Sequence, residues 1–117
     1  MIREYLEKDL EEFPDILDWY DRIKDSDDYK IVIKKDFYVI LKLSKNKICR
    51  VEKLTNKVNL KDILKTVDKY ISKPQTVIVP ISRKGIITQF YINGFDIDKY
   101  LKSKYRVGRN CYLMTRR

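Results

Sequence analysis

The sequence predicts an α+β fold: a single domain with a mainly antiparallel sheet of five to six strands, an acidic N-terminal helical segment, and one amphipathic helix packed on the sheet. Three observations carry this. The chain has 117 residues, 44% apolar and 37% charged, with three Gly and three Pro. That length suits one core, and the composition excludes a disordered or collagen-like chain. Runs rich in Ile, Val, Phe and Tyr lie between polar turns of three or four residues. Such turns join antiparallel neighbours, because a parallel crossover needs a dozen residues or more. Elsewhere the apolar residues fall at helical spacing.

Residues 1–28 read as the acidic helical segment. Ile2, Tyr5, Leu6, Leu10 and Phe13 form one stripe, and Ile16, Leu17, Trp19, Tyr20 and Ile23 form a second beyond Pro14. Proline suits the first turn of a new helix better than the middle of an old one. Trp19 lies on the apolar stripe and reads as a core anchor. Residues 29–117 read as the basic body. Tyr29–Ile33, Phe37–Leu43 and Ile48–Leu54 are the first three strands, and Phe37, Val39, Leu41 and Leu43 make the core face of the middle one. Asn59 is a good N-cap for a helix over 60–72. There Leu60, Ile63, Leu64, Val67 and Ile71 form the cleanest amphipathic pattern in the chain. Thr76–Ile81 and Ile86–Ile92 read as a second hairpin around Ser82-Arg83-Lys84-Gly85, with Pro80 pointing to an edge or a bulge. Asn93-Gly94 marks a turn. A short helix follows from Asp96, with Ile97, Tyr100 and Leu101 on one side. Cys111–Met114 reads as the last strand.

Charge is distributed unevenly. Residues 1–28 hold eleven acids and four bases, a net −7, whereas residues 29–117 hold six acids and 22 bases, a net +16. A small body at +16 attracts polyanions. The basic residues favoured for contact with phosphates are Lys34, Lys35, Lys45 and Lys47 at hairpin tips, and Arg83 and Lys84 at a third. Lys61, Lys65 and Lys69 add a ridge on the helix. Lys102, Lys104, Arg106, Arg109, Arg116 and Arg117 stand in the C-terminal stretch, where Tyr100, Tyr105 and Tyr112 are interleaved. On the acidic segment Glu4, Glu7, Glu11 and Asp18 are the candidates for binding a protein partner.

The inventory narrows the chemistry. There is no His, and the two cysteines are 62 positions apart. A zinc site with its usual ligands and a Ser-His or Cys-His nucleophile are therefore excluded. No phosphate-binding glycine motif is present. The element order resembles the core of PD-(D/E)xK nucleases, with Asp36 and Glu52 as candidate acids. That motif needs an acid and a lysine two residues apart on one strand face. Here Lys53 follows Glu52 directly and faces the other way, so the pattern fails. No apolar run reaches the roughly 20 residues of a membrane span. The N-terminus, Met1-Ile2-Arg3-Glu4, has no apolar signal region.

The sequence therefore predicts a non-enzymatic nucleic-acid-binding protein without cofactor or metal. It would work in the cytoplasm, and the Lys/Ile/Tyr-rich, Ala-free composition suggests a viral or mobile-element source. The rival expectation is an interaction module or inhibitor of a nucleic-acid-processing enzyme, with an acidic or nucleic-acid-associated protein as partner. A metal-assisted nuclease is the weakest of the three. Unpaired strand edges make a homodimer an open prospect.

Overall fold

The computed structural model describes residues 25–102 and 110–117. The helices expected before residue 25, Trp19, and Glu4, Glu7, Glu11 and Asp18 lie outside these residues. So do Lys104, Tyr105, Arg106 and Arg109. The described chain is α+β: one sheet of six strands in the order β1-β2-β3-β4-β6-β5, and two helices. The strands are β1 (Tyr29–Ile33), β2 (Phe37–Lys42), β3 (Lys47–Lys53), β4 (Gln75–Pro80), β5 (Asp96–Leu101) and β6 (Cys111–Arg116). The helices are α1 (Leu60–Val67) and α2 (Lys84–Ile92).

β1, β2 and β3 form an antiparallel meander, as the short turns require. Asp28 fixes the far end of β2. Its carboxylate accepts from the Ser44 amide at 2.8 Å and the Ser44 hydroxyl at 2.7 Å. These bonds hold its carboxyl below the ordinary carboxylate value. Sheet direction changes after β3. The crossover through α1 delivers β4 parallel to β3, and β4 then pairs antiparallel with β6, and β6 with β5.

Asn59 caps α1 as expected, its side chain accepting from the Asp62 amide at 3.0 Å. Leu60, Ile63, Leu64 and Val67 are buried against the sheet, with Ile71 buried just beyond the helix. They pack on Val32, Phe37, Val39, Leu41, Ile48, Val77, Val79 and Met114. The opposite sheet face is not solvent-filled either, since Ile31, Tyr38 and Ile40 are all at most 4% exposed.

Two elements differ from expectation. Ile86–Ile92 is helical, not the second arm of a hairpin. Its β-rich composition is overridden by its C-terminal cap. Gly94 takes φ +95°, Phe95 N–H donates to Phe90 C=O at 3.0 Å, and Gly94 N–H donates to Tyr91 C=O at 3.1 Å. This is the Schellman arrangement with its hydrophobic clasp: the Phe90 and Phe95 rings meet edge-to-face at 5.0 Å. Conversely, Asp96–Leu101 is a strand and not a helix. A register shift between Ile97 and Lys99 puts Ile97 and Tyr100 on one sheet face despite their helix-like spacing.

The C-terminal strand is locked to α1 by a polar cluster. Gln75, fully buried, donates to Asp68 at 2.7 Å and to Ile71 C=O at 3.2 Å. Arg116 donates to Gln75 and Asp68 and lies over the Phe95 ring, 5.3 Å from its centroid.

Candidate active site between strands β3 and β4

β3 and β4 pair over only two positions, Lys47↔Thr76 and Ile48↔Val77. The separation has a cause in β3. Its register against β2 shifts from Ile40↔Arg50 to Leu41↔Ile48, leaving Cys49 as an extra residue. A bulge bends the strand that carries it. Pairing with β4 ends at this point, so β3 leans away while β4 stays on β6. The result is a V-shaped cleft open beyond Ile48.

Backbone polarity in the cleft follows by alternation. Thr76 N–H donates to Asn46 C=O on the β3 side, and Ile81 N–H donates to Asn110 C=O on the β6 side. Ile78 and Pro80 therefore turn their backbone toward the cleft, where Pro80 has no N–H to leave unpaired. This explains a proline in a central strand better than the expected edge position. β3 beyond Ile48 has no strand partner on that side.

The bulge also sets which side chains meet there. Ile48 and Val51, three apart, both pack on the helix-facing core. Arg50 and Glu52 share the other face with Tyr38, whose hydroxyl accepts from Arg50 Nε at 3.0 Å. Arg50 also pairs with Glu52 at 3.2 Å. Two adjoining hollows fill the V, of about 70 Å³ and 240 Å³. The first lies between Cys49–Glu52 and Val77–Pro80, and the second is bounded by Lys53, Leu60 and Gln89; Val51, Glu52, Arg83, Ile86 and Phe90 line both. Together they just reach the lower end of the roughly 300–1,000 Å³ usual for ligand pockets. Lys53 donates to Gln89 across the mouth at 3.1 Å. Glu52 is the one carboxylate among the lining residues. Burial raises the Cys49 thiol above its ordinary value, so it stays protonated at neutral pH and is a poor nucleophile.

Among the described residues, those predicted to meet phosphates do not come together. Lys34 and Lys35 are exposed at the β1–β2 turn, and Lys45 and Lys47 sit at the opposite end of β2. Lys61, Lys65 and Lys69 are exposed along and just past α1, and Lys102 is exposed after β5. Arg116 is committed to the Gln75–Asp68 cluster, and Arg117 to Asp98 at 2.8 Å. Of those among the described residues, Arg83 alone lines the cleft, and Lys84 follows it at the start of α2. The nuclease pair is separated by role. Asp36 ties its turn by accepting from Thr55 Oγ1 at 3.0 Å, and Glu52 pairs with Arg50. Glu52 appeared in the sequence only as a failed nuclease acid, and the cleft it lines arises from a bulge with no sequence mark.

No family model matches the chain, and no curated protein matches it. Solved structures do. A chimera of the Vibrio cholerae spermidine N-acetyltransferase and hSSAT superposes with a TM-score of 0.65 at 10% identity, covering 89% of this chain and 78% of that one. A second chimera of the same pair gives 0.64 at 9% identity, over 89% and 75%. A mutant of the Vibrio cholerae enzyme gives 0.64 at 10% identity, over 89% and 74%. The chain thus has the fold of these acetyltransferase structures. That finding overturns the expectation of a non-enzymatic nucleic-acid-binding protein. The matched structures are of acetyltransferases and not of nucleic-acid-binding or viral proteins, against the source inferred from composition. No helix among the described residues is long and apolar enough to cross a membrane.

Proposed function

We propose that this chain is an N-acetyltransferase that moves an acetyl group from a coenzyme A thioester to an amine in the β3/β4 cleft. The observation that carries the reading is the V opened by the Cys49 bulge, in a fold shared with spermidine N-acetyltransferases. The cleft suits such a donor. Beyond Ile48 and Val77 the β3 and β4 backbones do not pair with each other, so an extended arm between them can bond its amides to the strands, as a strand adds to a sheet edge. Val51, Val77, Val79, Ile86 and Phe90 supply an apolar lining, and Lys53 and Arg83 supply positive charge. The start of α1 is less suited to the donor's phosphates, because Asn59 already takes the Asp62 amide and Asp62 adds a carboxylate. Side-chain cations carry that duty instead.

The bound donor supplies an activated acetyl carbonyl. Glu52 attracts the acceptor's ammonium and receives its proton through water, freeing the nitrogen lone pair. The amine nitrogen then bonds the carbonyl carbon, the C–S bond breaks, and the departing sulfur takes up the proton that the acylated nitrogen sheds. Arg50 holds the Glu52 carboxylate toward the cleft. The protonated Cys49 thiol argues for direct transfer rather than transfer through an enzyme thioester. Free Cys49 and Cys111 suit the reducing cytoplasm, where such donors are made.

The test is amine-dependent release of free thiol from acetyl-coenzyme A. The acceptors are spermidine, peptides with a free N-terminus and peptides with an internal lysine, and products are identified by mass. Turnover with at least one class is expected. Absence of turnover with every class, together with absence of donor binding by calorimetry, overturns the reading.

A further inference from the structure

Six large apolar side chains are exposed among the described residues, and four of them lie between residues 91 and 100. Tyr91 (64% exposed) and Ile92 (74%) end α2, and Ile97 (49%) and Tyr100 (53%) are on β5. β5 is the last strand of the described sheet, and five of its six residues are exposed. A long, exposed edge strand with apolar residues is a template for another strand.

The sequence of β5 is complementary to itself. Ile97 and Tyr100 pair with Met114 and Tyr112 and so point to the helix-covered face. Lys99 pairs with Leu113 and points to the other face. Asp98, the extra residue of the bulge, bonds Arg117 at 2.8 Å and 3.2 Å and also Thr115, whose strand position faces that same side. We propose that β5 pairs antiparallel with β5 of a second copy of this chain, about a two-fold axis between Asp98 and Lys99.

In that register Ile97 opposes Tyr100 of the second copy twice, on one face. Asp98 opposes Lys99 of the second copy twice, on the other. Each contact is a favourable cross-strand pair, and the interface is isologous, as a two-fold requires. Sliding the axis onto residue 98 sets Asp98 against itself, and onto residue 99 sets Lys99 against itself. Either slip also opposes residues from different faces. Both copies carry the same bulge, so it does not put the two strands out of step. The product is a continuous twelve-stranded sheet, built from two described sheets of six.

Sedimentation equilibrium over a concentration series tests this. The wild-type chain should rise from the 14.2 kDa monomer toward twice that mass. Asp98→Lys and Lys99→Asp should each remain monomeric alone, because like charges then face each other. An equimolar mixture of the two should dimerise, because the adjacent pair of lysines in the first variant then meets the adjacent pair of aspartates in the second. Circular dichroism verifies that each variant is folded, and Ile97→Asp serves as an independent monomeric variant should loss of the Arg117 pair unfold Asp98→Lys. A wild-type chain that stays monomeric overturns the proposal. So do single variants that dimerise alone, or a mixture of folded variants that does not.

Discussion

Replacing Glu52 by Gln separates chemistry from stability. The Glu52–Arg50 pair is 3.2 Å long, with side chains 40% and 24% exposed. A pair that open to water contributes at most about 1 kcal/mol. Gln keeps an oxygen that Arg50 can reach, so the loss should be smaller still and the melting temperature should move by no more than about 3 °C. The catalytic cost is of another order. Gln can neither attract an ammonium with a full charge nor accept its proton. Losing a positioned base costs typically ~10²–10⁴ in rate, which is about 3–5 kcal/mol of barrier at 1.36 kcal/mol per tenfold. The assay is steady-state thiol release at saturating donor, read as kcat and as kcat/KM for the amine, with donor affinity measured separately. The fall should appear in kcat and kcat/KM while donor affinity holds. A variant within about twofold of wild type, where a base should cost at least a hundredfold, would refute the role given to Glu52. A variant that loses donor binding instead would assign Glu52 to the donor.

Two further outcomes follow from the same geometry. Gly94→Ala forces a Cβ onto φ +95°, while the nearest atoms, in the Arg116 side chain, remain at 3.7 Å. The penalty is therefore conformational rather than steric, about 1–2 kcal/mol, and thermal unfolding should begin a few degrees lower; an unchanged or higher melting temperature would contradict the cap. Cys49, with its raised thiol pKa, should react with iodoacetamide more slowly than free cysteine at neutral pH. Saturating acetyl-coenzyme A should slow it further, and reaction at the free-thiol rate in both conditions would place Cys49 outside the cleft.

The first half of the described chain was legible because each signal was local. The meander β1–β3 followed from alternating β-branched and aromatic residues with short turns, and α1 from Asn59 and the Leu60–Val67 stripe. The second half misled for identifiable physical reasons. Ile86–Ile92 has strand-like composition, but its fate is set by Gly94 and by the pairing of Phe90 with Phe95, five residues apart. Ile97, Tyr100 and Leu101 imitate helical spacing because a bulge at Asp98 adds one residue to a strand. The bulge at Cys49 does the same to Ile48 and Val51. It also opens the cleft, so the same irregularity that breaks the alternation builds the candidate site. Net charge was the least informative signal for function. The described residues hold 19 bases against nine acids, yet Arg116 and Arg117 are spent on Asp68 and Asp98, and most of the lysines are dispersed over the surface.

The most direct measurement is a nitrogen–proton correlation spectrum of the labelled protein titrated with acetyl-coenzyme A. The account predicts saturable shifts at the amides of Cys49–Lys53 and Ile78, with smaller ones at Arg83, Ile86 and Phe90. Lys34, Lys35, Lys61, Lys65 and Lys69 should stay in place. Shifts confined to those exposed lysines, or none at all, would contradict a donor site between β3 and β4.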